Sequence, residues 1–189
     1  MNYLDKLTLS QLKARVANTL PKNRFVHTEG VCETAKQLAN RFGVDEEAAQ
    51  IAALLHDIAK YESEDDMKKH LQAQALTSYL AYSSLVWHAP VGAIIARETY
   101  GIEDEDILNA IQYHTTGRAN MSELEKVIYL ADYIEPNRRQ PGVEEIRTLC
   151  TLSLDQALAE TLKRTVTYLQ RDPEAIIHPD TLAARDYYN

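Results

Sequence analysis

Residues 45–60 read DEEAAQIAALLHDIAK and contain the most apolar run of the chain. The stretch opens with an aspartate that can cap a helix, followed by two glutamates in the first turn, where the helix dipole favours negative charge. The run 51–55 is apolar on several faces, which predicts a central helix that continues to about Lys60. The stretch therefore predicts a buried helix that carries His56 and Asp57 near its end.

The remaining chain also has helical periodicity, and no segment shows sustained period-two alternation. Gly43 and Gly101 are placed as C-terminal caps, and Ser122 and Ser153 as N-caps of capping boxes. Helices are predicted over 10–20, 23–42, 45–60, 64–76, 91–100, 104–115, about 122–134 and about 153–171. The pattern predicts an all-α, single-domain helical bundle.

Charge and composition exclude several classes of protein. The chain has 189 residues, with 20 Lys and Arg against 28 Asp and Glu, so its formal net charge is −8. This net negative charge argues against a protein that binds a nucleic acid polymer non-specifically, because such binding needs clustered Lys and Arg residues. The apolar runs are too short for the roughly 20 residues of a membrane span.

Two cysteines, Cys32 and Cys150, are too few for a disulfide framework. No basic region followed by an apolar stretch opens the sequence, so we expect no secretory signal and a cytoplasmic location. Tyrosine supplies 11 of the 14 aromatic residues, and a tyrosine-rich surface could support a homodimer.

The adjacent pair His56-Asp57 points to a metal, because charged residues are rarely buried without partners. A divalent cation is satisfied by imidazole nitrogen together with carboxylate oxygen. Four more candidates lie on predicted helices or at their ends: His27, His88, His114 and Asp132. Each has a separate explanation as a core or capping residue, but one shared metal site explains them all.

The series His27, His56-Asp57 and Asp132 resembles the H…HD…D pattern of HD-domain metal-dependent phosphohydrolases. A closer resemblance, to the YqeK family of symmetrical bis(5′-nucleosyl)-tetraphosphatases, spans residues 24–185. It is carried by HTEGV at 27–31, WHAPVG at 87–92, YHTTGR at 113–118, LEKVIYLADYIEPNR at 124–138 and HPDT at 178–181. That family cleaves diadenosine tetraphosphate into two ADP molecules, so the resemblance implies this activity and an HD-type fold.

The resemblance also implies roles for individual residues. The metal ligands would be His27, His56, Asp57 and Asp132, and the catalytic residues Asp57, Lys60, His88 and His114. The substrate-binding residues would be Lys60, His88, His114, Thr115, Arg138, Ile176, Ile177, His178, Pro179, Asp180 and Thr181. Either His88 and His114 hold phosphates or they complete a second metal site. The metal would be iron, with manganese or cobalt as alternatives, as one or two ions.

The expected reaction is attack of metal-activated hydroxide on an inner phosphorus, with ADP leaving. Lys60 and Arg138 could place positive charge on the phosphate oxygens, and Arg24 is a weaker candidate. The expected domain covers residues 1–189, with a core at about 22–140 and C-terminal helices at about 144–188 that complete the nucleotide pocket. The expected partners are a dinucleoside polyphosphate and ADP, without a nucleic acid polymer or a membrane.

Two alternatives remain open at the level of sequence. An HD-family enzyme could use the same ligands on another nucleotide. A helical module could instead bind a nucleotide as a sensor without turning it over.

Overall fold

The computed structural model describes residues 3–4 and 7–189, and in these residues the chain forms ten α-helices and two short 3-10 helices without a strand. The α-helices are α1 (Leu9–Thr19), α2 (Lys22–Phe42), α3 (Glu46–Leu55), α4 (Glu64–Ala73), α5 (His88–Tyr100), α6 (Glu105–Gln112), α7 (Glu123–Ile134), α8 (Val143–Leu149), α9 (Leu154–Leu169) and α10 (Pro179–Tyr188). The 3-10 helices cover Thr77–Ala81 and Ser84–Val86. The all-α helical bundle is confirmed.

Helix α3 lies at the centre, as its apolar run predicts. It packs against α1, α2, α5, α6 and α7. Ile51, Leu54 and Leu55 are almost completely buried in the main core. Helices α8, α9 and α10 extend the bundle from α7, which packs on both α8 and α9. The carboxyl end of the central helix α3 therefore lies in the middle of the molecule.

The predicted helix starts agree with the caps in the structure. The Asp45 side chain accepts a hydrogen bond from the backbone of Ala48 at 2.9 Å, and the serines before α7 and α9 cap in the same way. One detail of the prediction is wrong. Glu125 does not return to the start of α7 as a capping box requires, because its carboxylate pairs with Arg118 instead.

Three predicted helices end earlier than expected, at Leu55 rather than Lys60, at Ala73 rather than Leu76 and at Gln112 rather than Thr115, and α5 begins at His88 rather than at Val91. The His56 Nδ1–H donates to Ala53 O at 2.6 Å, which is the carbonyl that would accept the next helical N–H. The His114 ring does the same to the carbonyl three residues before it. The backbone leaves the helix at these two histidines and continues as turns.

A smaller apolar cluster lies beside the main core. Its buried members are Ala59, Met67, Leu71, Tyr79, Trp87 and Val91. It joins α4 and the 3-10 segments to α5 and supports the turn after α3. Every helix within the described ranges is too short or too polar to cross a membrane.

Replacing Leu54 with alanine tests the central role of α3. Leu54 is 1% exposed and Leu152 is 67% exposed. We expect Leu54→Ala to lower the free energy of unfolding by about 2–5 kcal/mol, because a buried cavity replaces the side chain. Leu152→Ala should change it by less than about 0.5 kcal/mol. Urea denaturation in the presence of a chelator measures both, and similar values for the two variants would contradict the assignment.

Candidate metal and nucleotide site

The candidate ligands come from several helix ends that meet beside the carboxyl end of α3. His27 lies on α2, Asp132 lies on α7, and His88 begins α5. His56, Asp57 and His114 occupy the turns that follow α3 and α6. All four histidines and Asp57 are buried. Residues separated by as many as 105 positions, from His27 to Asp132, are thus brought to one point.

Four of these side chains lie at the spacing that a shared ion requires. The distances are 3.1 Å from His27 Nε2 to Asp132 Oδ1, 3.7 Å from His27 Nε2 to Asp57 Oδ2, 3.1 Å from His56 Nε2 to Asp57 Oδ2 and 4.0 Å from His56 Nε2 to Asp132 Oδ1. Ligand atoms bound to one ion at about 2.1 Å lie about 3–4 Å apart. The residues predicted as metal ligands could therefore hold one divalent ion together.

The hydrogen bonds of the histidines support this interpretation. His27 Nδ1 lies 3.1 Å from Glu135 Oε1, and His56 Nδ1 lies 2.6 Å from Ala53 O. Because carbonyl and carboxylate oxygens only accept, both Nδ1 atoms carry the proton and both Nε2 atoms keep a lone pair. These Nε2 atoms are buried without a hydrogen-bond partner among the described residues. A buried polar atom without a hydrogen-bond partner destabilises the folded state, and coordination to a metal ion would remove this penalty.

The second oxygen of Asp57 faces another pair of histidines. Asp57 Oδ1 lies 3.2 Å from His88 Nε2 and 3.8 Å from His114 Nε2. The two Nε2 atoms are 3.2 Å apart, and His114 Nδ1–H donates to Ile111 O at 2.7 Å. Asp57 thus offers one oxygen to the imidazoles of His27 and His56 and the other to those of His88 and His114. Its carboxylate could therefore contact an ion on one side and a second ion or a phosphate group on the other.

The electrostatics of the cluster favour neutral imidazoles at His88 and His114 beside an ionised Asp57, whereas Asp57 and Asp132 outweigh burial and raise the pKa of His56. Burial by itself would raise the pKa of Asp57, but His56, His88 and His114 outweigh it and hold that pKa well below its usual range. Burial, with His56 and His88 nearby, lowers the pKa of His114 to about 3. Burial also lowers the pKa of His88. His88 and His114 are therefore uncharged near neutral pH, with lone pairs free to bind a cation.

Glu135 is a member of the site whose role the sequence did not reveal. It is 2% exposed, and besides its contact with His27 its Oε2 accepts from the backbone N–H of Asn137 at 2.7 Å. A Cβ atom on Gly30 would come within 2.7 Å of that same Oε2. Gly30 thus leaves the space in which Glu135 reaches His27. The dipeptide Glu135-Pro136 at the end of α7 was the only sequence signal.

Three predicted substrate residues surround the ligand cluster. Lys60 Nζ lies 3.2 Å from His88 Nε2, and Thr115 Oγ1 lies 3.1 Å from His114 Nε2. Arg138 donates to the backbone oxygen of Asp132 at 2.8 Å and to its Oδ1 at 2.5 Å. Lys60 reaches the site from the turn after α3 and not from the helix that was predicted to continue to it. Burial lowers its pKa, which Asp57 only partly opposes.

A cleft of about 720 Å³ opens over the cluster. Its lining includes Lys60, Thr115 and Arg138, and also Arg24, whose Nη2 lies 3.0 Å from Asp57 Oδ2. One wall is made by α9 and Arg171 just beyond it; the sequence predicted that C-terminal helices complete the pocket, but it named none of the residues of this wall. This wall consists of Lys163, Arg164, Thr165, Thr167, Tyr168 and Arg171. On the sequence it had the pattern of an ordinary surface helix.

The predicted substrate segment 176–181 lies outside this lining. Its His178 ring packs on Tyr79 and Tyr82, with ring centroids 4.9 Å and 4.5 Å away. The backbone N–H of Asp180 donates to His178 Nδ1 at 3.3 Å, while Ile176 is exposed. The segment therefore lies against the 3-10 region, and its role in substrate binding stays a prediction.

Comparison with known proteins agrees with the geometry. The family model described as "HD domain" matches residues 24–137, which include all six residues of the cluster. A crystal structure of a predicted HD superfamily hydrolase involved in NAD metabolism from Clostridium acetobutylicum superposes with a TM-score of 0.90 at 36% identity, covering 96% of this chain and 97% of that one. The fold and the site are those of an HD-domain protein.

Relatives with assigned names show which family within the HD-domain class this chain belongs to. A symmetrical bis(5′-nucleosyl)-tetraphosphatase of Bacillus subtilis is 46% identical over 89% of this chain and 90% of its own. The protein of the same name from Staphylococcus aureus is 39% identical over 97% of this chain and 95% of its own. The chain belongs to the YqeK family of HD-domain symmetrical bis(5′-nucleosyl)-tetraphosphatases, and the resemblance carried by its motifs is confirmed.

The support that Glu135 gives to His27 predicts a measurable effect on metal binding. Glu135→Gln should weaken divalent metal affinity by about 10-fold or more, because the Nδ1–H of His27 loses a charged acceptor. Gly30→Ala should act in the same direction by displacing the carboxylate. Competition titration with a chromogenic chelator measures the affinity. Glu33→Gln, on the exposed side of α2, is the control, and wild-type affinity in both test variants would contradict the role.

Proposed function

We propose that this protein is a metal-dependent hydrolase that cleaves diadenosine tetraphosphate symmetrically into two ADP molecules. The observation that carries the proposal is the pair of buried, unpartnered Nε2 atoms of His27 and His56, aimed at Asp57 and Asp132. This arrangement lies at the base of a cation-lined cleft, in a chain whose relatives are named for this activity. A sensor that only binds nucleotide has no need of such a ligand set.

We propose His27, His56, Asp57 and Asp132 as the ligands of a divalent ion. Iron is preferred from the family resemblance, and manganese or cobalt suit the same nitrogen and oxygen donors. Asp57 Oδ1, His88 and His114 are then available to a second ion or to a phosphate group. When bound, a divalent ion lowers the pKa of water towards neutrality and places positive charge beside the phosphate chain.

The residues of the chain bind and polarise the substrate in this proposal. Water adds to an inner phosphorus, the bond from that phosphorus to the central bridging oxygen breaks, and each half leaves as ADP. The departing ADP is an anion. Cleavage of the phosphorus–oxygen bond is therefore favoured by positively charged groups beside the oxygens that gain negative charge. Arg138 is held beside Asp132 with a permanent guanidinium charge, and Lys60 stands beside His88. Thr115 offers a hydroxyl beside the same imidazole.

The proposed partner is a small dinucleoside polyphosphate. A polymer is disfavoured because a chain with net charge −8 repels a long polyanion, while six of its Lys and Arg residues line one cleft that suits a small one. A cytoplasmic location is consistent with the free thiols of Cys32 and Cys150. A homodimer stays a prediction from the tyrosine content.

Product identification tests the reaction class directly. We expect purified protein containing iron, manganese or cobalt to convert one diadenosine tetraphosphate into two ADP and no other nucleotide. Chelation should abolish turnover and each metal, added back separately, should restore it to a different extent. Chromatography of the products with metal analysis of the protein is the measurement. AMP with ATP as products would contradict symmetrical cleavage, and tight binding without turnover would favour the sensor.

Asp57→Asn tests the ligand cluster with little change in side-chain volume. We expect kcat to fall by at least about 100-fold, because the negative charge that helps to hold the cation is lost. Circular dichroism should stay helical. Asp65→Asn, an exposed residue on α4, is the matched control and should keep wild-type turnover. Near wild-type hydrolysis by metal-free Asp57→Asn would overturn the proposed mechanism.

A further inference from the structure

The proposed reaction makes a geometric demand that the ligand cluster alone does not meet. A symmetrical cut places the scissile bond in the middle of the four-phosphate chain, so one nucleoside diphosphate extends from the cluster on each side. The cleft must therefore contain two binding arms. This inference rests on the proposed function and concerns the second arm.

The predicted substrate residues account for one side only. Lys60 and Thr115 contact His88, which faces Asp57 Oδ1. Arg138 instead contacts Asp132, which faces the His27 side of the cluster. The same cleft is also lined by Gln140 and by the wall formed by α9. No residue on this wall was predicted to bind substrate.

The charge of the cleft suits phosphate at this wall. Six cations line the cleft: Arg24, Lys60, Arg138, Lys163, Arg164 and Arg171. Asp57 and Asp132 are the two carboxylates in the lining, and both belong to the proposed metal site. Lys163 and Arg164 also pair with Glu160, and Arg164 pairs with Glu145. The smaller excess of positive charge that remains, in a chain with net charge −8, still favours a polyanionic ligand that extends beyond the metal.

Arg164 gives the wall a fixed shape. Its guanidinium donates to Glu160 Oε1 at 2.7 Å and to Gly142 O at 2.9 Å, and it also pairs with Glu145. A Cβ atom on Gly142 would lie 2.0 Å from Arg164 Nη1, so any other residue here would displace the guanidinium from its present position. The loop also has a left-handed φ of +80° at that residue. Arg164 thus ties α9 to the loop beside Gln140.

Tyr168 and Arg171 belong to the same wall and lie at the carboxyl end of α9 and just beyond it. The Tyr168 side chain is 68% exposed, and the Arg171 guanidinium carbon lies 5.9 Å from the centroid of its ring. Arg171 makes no ion pair with any described residue. Aromatic faces stack on nucleic acid bases, and arginine pairs with phosphate oxygens. The wall therefore presents cations together with an exposed aromatic ring, the two kinds of group that bind the phosphates and the base of a nucleoside diphosphate.

We infer that the α9 arm, defined as Arg138, Gln140, Lys163, Arg164, Tyr168 and Arg171, binds the second nucleoside diphosphate half of the substrate. Tyr168 stacks on its base. Lys163 and Arg171 neutralise its phosphates, and Arg164 holds the wall in place.

Comparing two substrates isolates the second nucleoside. Adenosine 5′-tetraphosphate has the same phosphate chain but one nucleoside, which the other arm can hold. We expect Tyr168→Ala to raise the KM for diadenosine tetraphosphate by about 10-fold with kcat within about 2-fold, because a base stack is lost. The KM for adenosine 5′-tetraphosphate should change by less than about 2-fold. Tyr168→Phe keeps the ring and should restore the wild-type KM.

Tyr187→Ala removes another exposed tyrosine, on α10 and outside the cleft lining, and serves as the control. An equal rise in KM for both substrates, or no rise for either, would overturn the α9 arm. If the wild-type protein does not cleave diadenosine tetraphosphate at all, the proposed function fails instead.

Calorimetric titration with ADP tests the arm without turnover. We expect metal-loaded wild-type protein to bind two ADP molecules per chain, one in each arm. Tyr168→Ala should weaken only one of the two sites, and Tyr187→Ala neither. A single ADP site that is insensitive to Tyr168→Ala would overturn the inference whatever the catalytic result.

Discussion

The hydrogen bonds made by the histidine Nδ1 atoms are the constraint on which the site depends. His56 and His114 each donate to a carbonyl three residues earlier, and this contact both ends the helix and aims Nε2 at Asp57. Glu135 holds His27 in the same tautomer. Local backbone geometry and metal-binding geometry are therefore consequences of the same hydrogen bonds.

The distribution of charge explains how an acidic protein can take a polyphosphate. The net charge of −8 describes the whole surface, while the cleft over the cluster is lined mainly by Lys and Arg. Burial keeps the imidazoles of His88 and His114 neutral, so they do not add to the positive charge of the cleft. Net charge thus argues against a polymer partner without excluding a small anionic one.

Much of the fold could be predicted because helix signals are local. Caps such as Asp45 lie within one turn of the group they satisfy, so the helix starts agreed closely with the structure. The helices that end near His56 and His114 were predicted to continue for several more residues. Helix propensity does not account for a side chain that hydrogen-bonds to a backbone carbonyl in place of the next N–H. Glu135 was missed for a related reason: its partner His27 lies 108 positions away.

The sequence by itself determined the helical class, the family and the ligand types, since these depend on periodicity and on motifs that contain rare buried polar residues. Only the tertiary structure decided which groups face one another across the cleft. The wall of α9, including Tyr168 and Arg171, has the pattern of any solvated helix in the sequence. It becomes part of the site because α7 and α9 pack together and place that face over Asp132. Packing of distant segments is a property of the whole chain, and no local pattern records it.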